Sequence, residues 1–316
     1  MSDVKEPSYR SGLDPFAAGK ALFWAGVIET LVLILVTILA DRVLDVEDLV
    51  FEFVLTVIGY AVVIFVLLRA GRSKGLSPTE VFRLNRVKTP NPLLLVLLGA
   101  GIISAELLVV NGLDFLLKGR LGEWASLFPS AEPEGSMALS VVLLVCIVPI
   151  VEEVVFRGFL SKAFSDWGPG WAVFFPGIVF ALLHHPIGMI GAFLVALASG
   201  ILVMKYDSVI PGIFVHAGCN LVATILGFVE IVASPTVFAV LFVSVSAGCV
   251  LLVALFRSRF SWLWQDFKSY WSQFKERPGF WEKFKSLAKD WAWLLIFAIL
   301  LLRVGWIIVV TIRTGL

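Results

Sequence analysis

Residues 138–160 read ALSVVLLVCIVPIVEEVVFRGFL. The stretch is longer than the roughly 20 apolar residues that cross the hydrocarbon core of a bilayer, and nothing before Glu152 is charged. It then places Glu152, Glu153 and Arg157 within membrane depth. Ionisable side chains there are costly, and they face a bundle interior or a water-filled cavity rather than lipid. The stretch therefore predicts a membrane span with a polar site inside it.

The rest of the chain agrees. Hydrophobic residues make up 59% of it and charged residues 16%, with a mean hydropathy of +0.96, whereas soluble domains carry about half and a quarter. Further apolar runs fall at 22–40, 49–68, 92–111, 171–187, 189–205, 209–229, 235–256 and 291–312. The fold class is all-α, a polytopic transmembrane helical bundle of eight or nine spans; the count turns on the short fifth and sixth, which meet at His185-Pro186. A net charge of +1 gives no field for nucleic acid. Cys146, Cys219 and Cys249 all lie in apolar runs and form no disulfide framework. The N-terminus lacks a convincing cleavable signal, so the first span is kept. No internal repeat is visible.

Loop charge sets the orientation. The 69–91 loop carries Arg69, Arg72, Lys74, Arg83, Arg86 and Lys88 against Glu80, and 257–290 holds eight Lys/Arg and four Asp/Glu. The 41–48 and 112–136 loops lean acidic. By the positive-inside rule the N-terminus is cytoplasmic, in a cell membrane, although Arg313 at the outer end fits less well. In 257–290, Phe260, Leu263, Trp264, Phe267, Trp271 and Phe274 recur at helical spacing, which predicts an amphipathic interfacial helix broken at Pro278-Gly279. Its plainest role is to anchor the last span. Ser77-Pro-Thr-Glu80 reads as a capping box that starts a short helix. Three regions result: N-terminal spans and basic loop (1–136), a core (137–230), and C-terminal spans with the tryptophan-rich segment (231–316).

The chemistry-bearing residues lie in the core. Glu153 and Arg157 are four apart and share a helix face, which also suits a buried ion pair. Glu152 points about 100° away from Glu153, free to face a cavity as a general base. All three histidines, His184, His185 and His216, sit in apolar runs. His184 and His185 diverge, so one joins a common centre more easily than both. His216 and Asn220 stack on one face, an imidazole beside an amide that can orient it or hold an oxyanion. At 1.5 Å per residue, Glu152 and His216 lie about 12 and 10 Å from the cytoplasmic end of their spans, and His184 about 20 Å. That offset calls for tilt, or for a helix start shifted near Pro176-Gly177.

Glu-Glu-x-x-x-Arg at 152–157, Phe-x-x-x-His at 180–184 and His-x-x-x-Asn at 216–220 resemble the three motifs of the CPBP family. That family comprises CAAX-processing endopeptidases and bacteriocin-processing or self-immunity membrane proteases, and is also called ABI. The resemblance covers roughly 138–229 and implies an intramembrane endopeptidase acting on a membrane-associated peptide or prenylated (CAAX-type) protein. It implies Glu152 as the base for the attacking water, and His184 as the group that binds that water. His216 with Asn220 would be the oxyanion holders. Glu153 and Arg157 would support the base or meet the substrate's carboxylate, with Phe180 packing the pocket.

Two questions stay open in the sequence. His184 and His216 could bind Zn2+, but there is no His-Glu-x-x-His pair, and a metal-free glutamate mechanism is equally compatible. A proton-coupled transporter or a catalytically silent scaffold would also use intramembrane charge, and Glu29, Glu52, Glu106 and Arg303 have no assigned role. Glu29 and Arg303 could pair across helices.

Overall fold

The computed structural model describes residues 12–43, 48–116, 137–276 and 279–314. The N-terminal charges before residue 12, most of the acidic 112–136 loop, Arg277 and the Pro278 half of the predicted Pro278-Gly279 break lie outside them. In chain order the helices are α1 (Pro15–Val43), α2 (Asp48–Arg72), the short α3 (Pro78–Phe82), α4 (Pro92–Leu116) and α5 (Ala138–Trp167). They continue with α6 (Pro169–Leu182), α7 (Met189–Tyr206), α8 (Ile210–Val232), α9 (Pro235–Leu255), α10 (Arg257–Glu276), α11 (Phe280–Leu287) and α12 (Trp291–Thr314). Eight of the described helices are long and apolar enough to cross a membrane. The molecule is a polytopic helical bundle.

The exception among the apolar segments is α6. Its 14 residues span about 21 Å, short of the roughly 30 Å hydrocarbon core. The expected fifth span thus ends early, at the turn 183–188. Pro186 explains the stop, because a proline disfavours helical geometry in the residue before it. The helix continues through Pro176, so its start is not shifted to Pro176-Gly177 as the sequence suggested.

One face of the bundle gathers both basic segments. The Arg83 carbonyl accepts the Val209 N–H, Leu84 pairs with Ser208, and the Arg83 guanidinium reaches both Asp207 and Ser165. Lys205 pairs with Asp266 at 2.9 Å, Lys283 donates to the Trp167 carbonyl, and Trp293 Nε1 donates to the Pro15 carbonyl. The 69–91 loop, α10, α11 and the start of α1 therefore share a side, as loop charge predicted. The capping box forms as expected. The Ser77 hydroxyl accepts the Glu80 N–H, Glu80 accepts the Ser77 N–H, and Pro78 opens α3. Those hydrogen bonds hold the Glu80 carboxyl below the usual carboxylate range.

The amphipathic α10 turns much of its aromatic stripe onto the protein. Phe174 of α6 packs against Phe267, Trp271 and Phe274, and Trp171 against Phe274. Trp264 stays largely exposed. Next to this cover lies an aromatic core in which Phe164, Phe175 and Trp293 meet in tilted and edge-to-face contacts at centroid distances of 4.3–5.8 Å. Glycines allow the tightest helix contact, since a Cβ on Gly99 of α4 or Gly218 of α8 would collide with the other helix's backbone.

Candidate active site

Three helices, α5, α6 and α8, converge on the ring of His216. Its Nδ1 stands 3.1 Å from Glu153 Oε1, and its Nε2 stands 3.5 Å from Glu152 Oε2. The adjacent glutamates do diverge, as helical geometry requires, yet both reach one imidazole because it offers them two edges. Glu153 is fully buried and also pairs with Arg157 at 3.2 Å. A carboxylate held by a guanidinium is an acceptor, so the Nδ1 of His216 carries the proton in that contact. Nε2 is then the ring atom facing Glu152. Gly212 makes the room: a Cβ there would stand 2.7 Å from Glu153 Oε2.

Arg157 is buried as well, with its guanidinium 4.2 Å above the centre of the Phe180 ring. Phe180 in turn touches the rings of His184 and His216, at centroid distances of 4.6 and 5.6 Å. His184 lies in the turn after α6, where its Nδ1 meets the Phe180 carbonyl at 2.9 Å. A carbonyl only accepts, so Nδ1 is the protonated nitrogen and Nε2 keeps its lone pair. The backbone of the same turn is tied to α12, because Arg303 donates to the His184 carbonyl. Arg303 therefore serves the turn, while Glu29 sits against Gly59 of α2. His185 is half-buried and lines neither cavity described below.

The helix that carries the glutamates is wound loosely on both sides of them, with π-type segments at Val142–Ile147 and Val154–Leu160. Such segments often mark functional sites. In the first, the Val148 N–H bonds the Leu143 carbonyl five residues back. Pro149 would take the Leu144 carbonyl in the same register, but it has no N–H. The side-chain amide of Asn220 donates to Leu144 instead, at 2.7 Å. One N–H of that amide remains for other work.

Two cavities border this group of side chains, one at Glu152 and the other at His216. One, of about 630 Å³, is lined by Glu152, Glu29 and Tyr60 among apolar residues of α1, α2, α5, α6 and α12. The other, of about 210 Å³, is lined by Phe180, His184, His216, Asn220 and Glu106. The residues singled out in the sequence thus assemble into one site. Glu106, Glu29 and Tyr60 were missed as wall residues, although a lone carboxylate in an apolar run was a signal for the first two.

As to metal, among the described residues no group of three or more His, Cys, Asp or Glu side chains is arranged to hold an ion. Catalytic zinc takes three protein ligands and an open position. Here one glutamate is committed to Arg157, and both His216 nitrogens face carboxylates. The donor set does not fit zinc.

Comparison with known families gives one match. Residues 134–222, under a third of the chain, match the family described as type II CAAX prenyl endopeptidase Rce1-like. This agrees with the CPBP resemblance, and all six sequence-derived site residues fall inside the matched stretch. No curated protein and no solved structure matches the chain.

Proposed function

We propose that this chain is an intramembrane endopeptidase that hydrolyses a peptide bond of a prenylated, CAAX-type or otherwise membrane-associated substrate, in a cell membrane with its N-terminus cytoplasmic. The observation that carries the reading is the His216 ring set between Glu152 and Glu153, beside the free Nε2 of His184. The family match at 134–222 supports the reaction class.

In this mechanism water lies between Glu152 and His184. His184 Nε2 accepts one of its hydrogen bonds, and Glu152 takes a proton as oxygen attacks the scissile carbonyl. The oxyanion is met by the spare Asn220 N–H. Collapse of the tetrahedral intermediate breaks the C–N bond, and Glu152 returns the proton to the leaving amine. Glu153 and Arg157 hold the His216 ring in orientation. No step passes through a metal. The apolar cavity of about 630 Å³ beside Glu152 has the size of a ligand pocket and suits a hydrocarbon-bearing substrate.

The test is cleavage of a quenched prenylated peptide by protein reconstituted in vesicles. Glu152→Ala should lower kcat by about 10²–10⁴, the usual contribution of a general base. Unchanged turnover in a correctly inserted variant would refute the assignment.

A further inference from the structure

Glu106 belongs to α4, outside the family-matched segment, and is the sole ionisable residue between Pro92 and Asn111. It is 8% exposed, and its Oε1 accepts the Gly191 N–H at 2.7 Å. Gly191 is the third residue of α7, where backbone N–H groups have no partner within their own helix. Glu106 thus caps α7 from a different helix, and a carboxylate also complements the positive end of the helix dipole. The approach is close enough that a Cβ on Gly191 would collide with the carboxylate.

The capped end of α7 is where the turn carrying His184 finishes. Phe180 holds the His184 ring from the α6 side, and the start of α7 fixes the other end of the same turn. Glu106 also lines the smaller cavity with His184, His216 and Asn220. We propose that Glu106 is a positioning residue, whose cap on α7 sets where the His184 imidazole stands against His216. Its kinetic consequence rests on the protease reading; its structural consequence does not.

Hydrogen exchange on the full chain in nanodiscs reads the cap directly, on a peptide covering 188–195. Glu106→Ala should speed exchange at Gly191 about tenfold, the scale of losing one capping hydrogen bond. Glu106→Gln keeps an acceptor oxygen and should stay within about threefold of wild type. In the cleavage assay, Glu106→Ala should lower kcat with KM unchanged, and Glu106→Gln should restore it. Gly191→Ala alone should mimic Glu106→Ala, yet add little on top of it, because the colliding carboxylate is gone.

Wild-type exchange in Glu106→Ala would overturn the proposal. So would wild-type exchange in Glu106→Gln together with the full kinetic loss, since charge rather than the cap would then matter. If the wild type cleaves no peptide, the protease reading falls, and the exchange pattern still decides whether Glu106 fixes the turn.

Discussion

Asn220 donates its side-chain amide to the Leu144 carbonyl at 2.7 Å, filling the backbone position that Pro149 leaves without a donor. A motif residue thus has a structural partner of its own, and its two roles can be separated. Asn220→Ala orphans the carbonyl at a cost of about 1 kcal/mol and should lower the melting temperature. Adding Pro149→Ala supplies the missing N–H and should restore the melting temperature while leaving cleavage impaired. An unchanged melting curve in Asn220→Ala would show that the hydrogen bond contributes nothing to the fold.

Glu153 and Arg157 are both almost fully buried, 3.2 Å apart. Removing one member of a buried pair strands the other charge, which typically costs about 3–5 kcal/mol. Arg157→Met should therefore unfold at a much lower temperature than wild type. Arg157→Met with Glu153→Leu should recover much of that stability, because no unpaired charge is left, but not activity, since His216 loses its Nδ1 partner. Thermal unfolding in detergent measures the first effect. Equal stability of the single and double variants would count against a stranded charge.

How much of this was legible in the sequence depends on what each feature is made of. The spans and the shared basic face follow from composition and loop charge, which act locally. The Glu153–Arg157 pair was legible from helical spacing alone. The two glutamates meeting on one ring were not, because the meeting point belongs to another helix that offers both edges of an imidazole. Nor was the early end of α6, where hydropathy stays high while Pro186 stops the helix. Glu106 was visible as a misfit in an apolar run, but its partner is a backbone N–H, which no side-chain pattern reports.

The metal question has a direct measurement. Because the donors around His216 are already paired with one another, purified protein should carry well under one zinc per chain, and a chelator should leave cleavage intact. Catalytic zinc held by these residues would instead appear as about one ion per chain, lost in both His184→Ala and His216→Ala. That result would overturn the metal-free mechanism and make Glu152 the base beside a metal-bound water.

Finally, the shared face predicts an accessibility pattern. Ser73 follows α2 in the basic loop and Ser272 lies on α10, whereas Glu230 is exposed near the far end of α8. The 23 residues of α8 measure about 34 Å, enough to cross the hydrocarbon core. In a background without native cysteines, Ser73→Cys and Ser272→Cys should react with a membrane-impermeant thiol reagent from one side only. Glu230→Cys should react from the other. Applied to intact cells, the reagent should reach Glu230→Cys alone if the basic face is cytoplasmic. Labelling of Ser73→Cys from outside would invert the orientation.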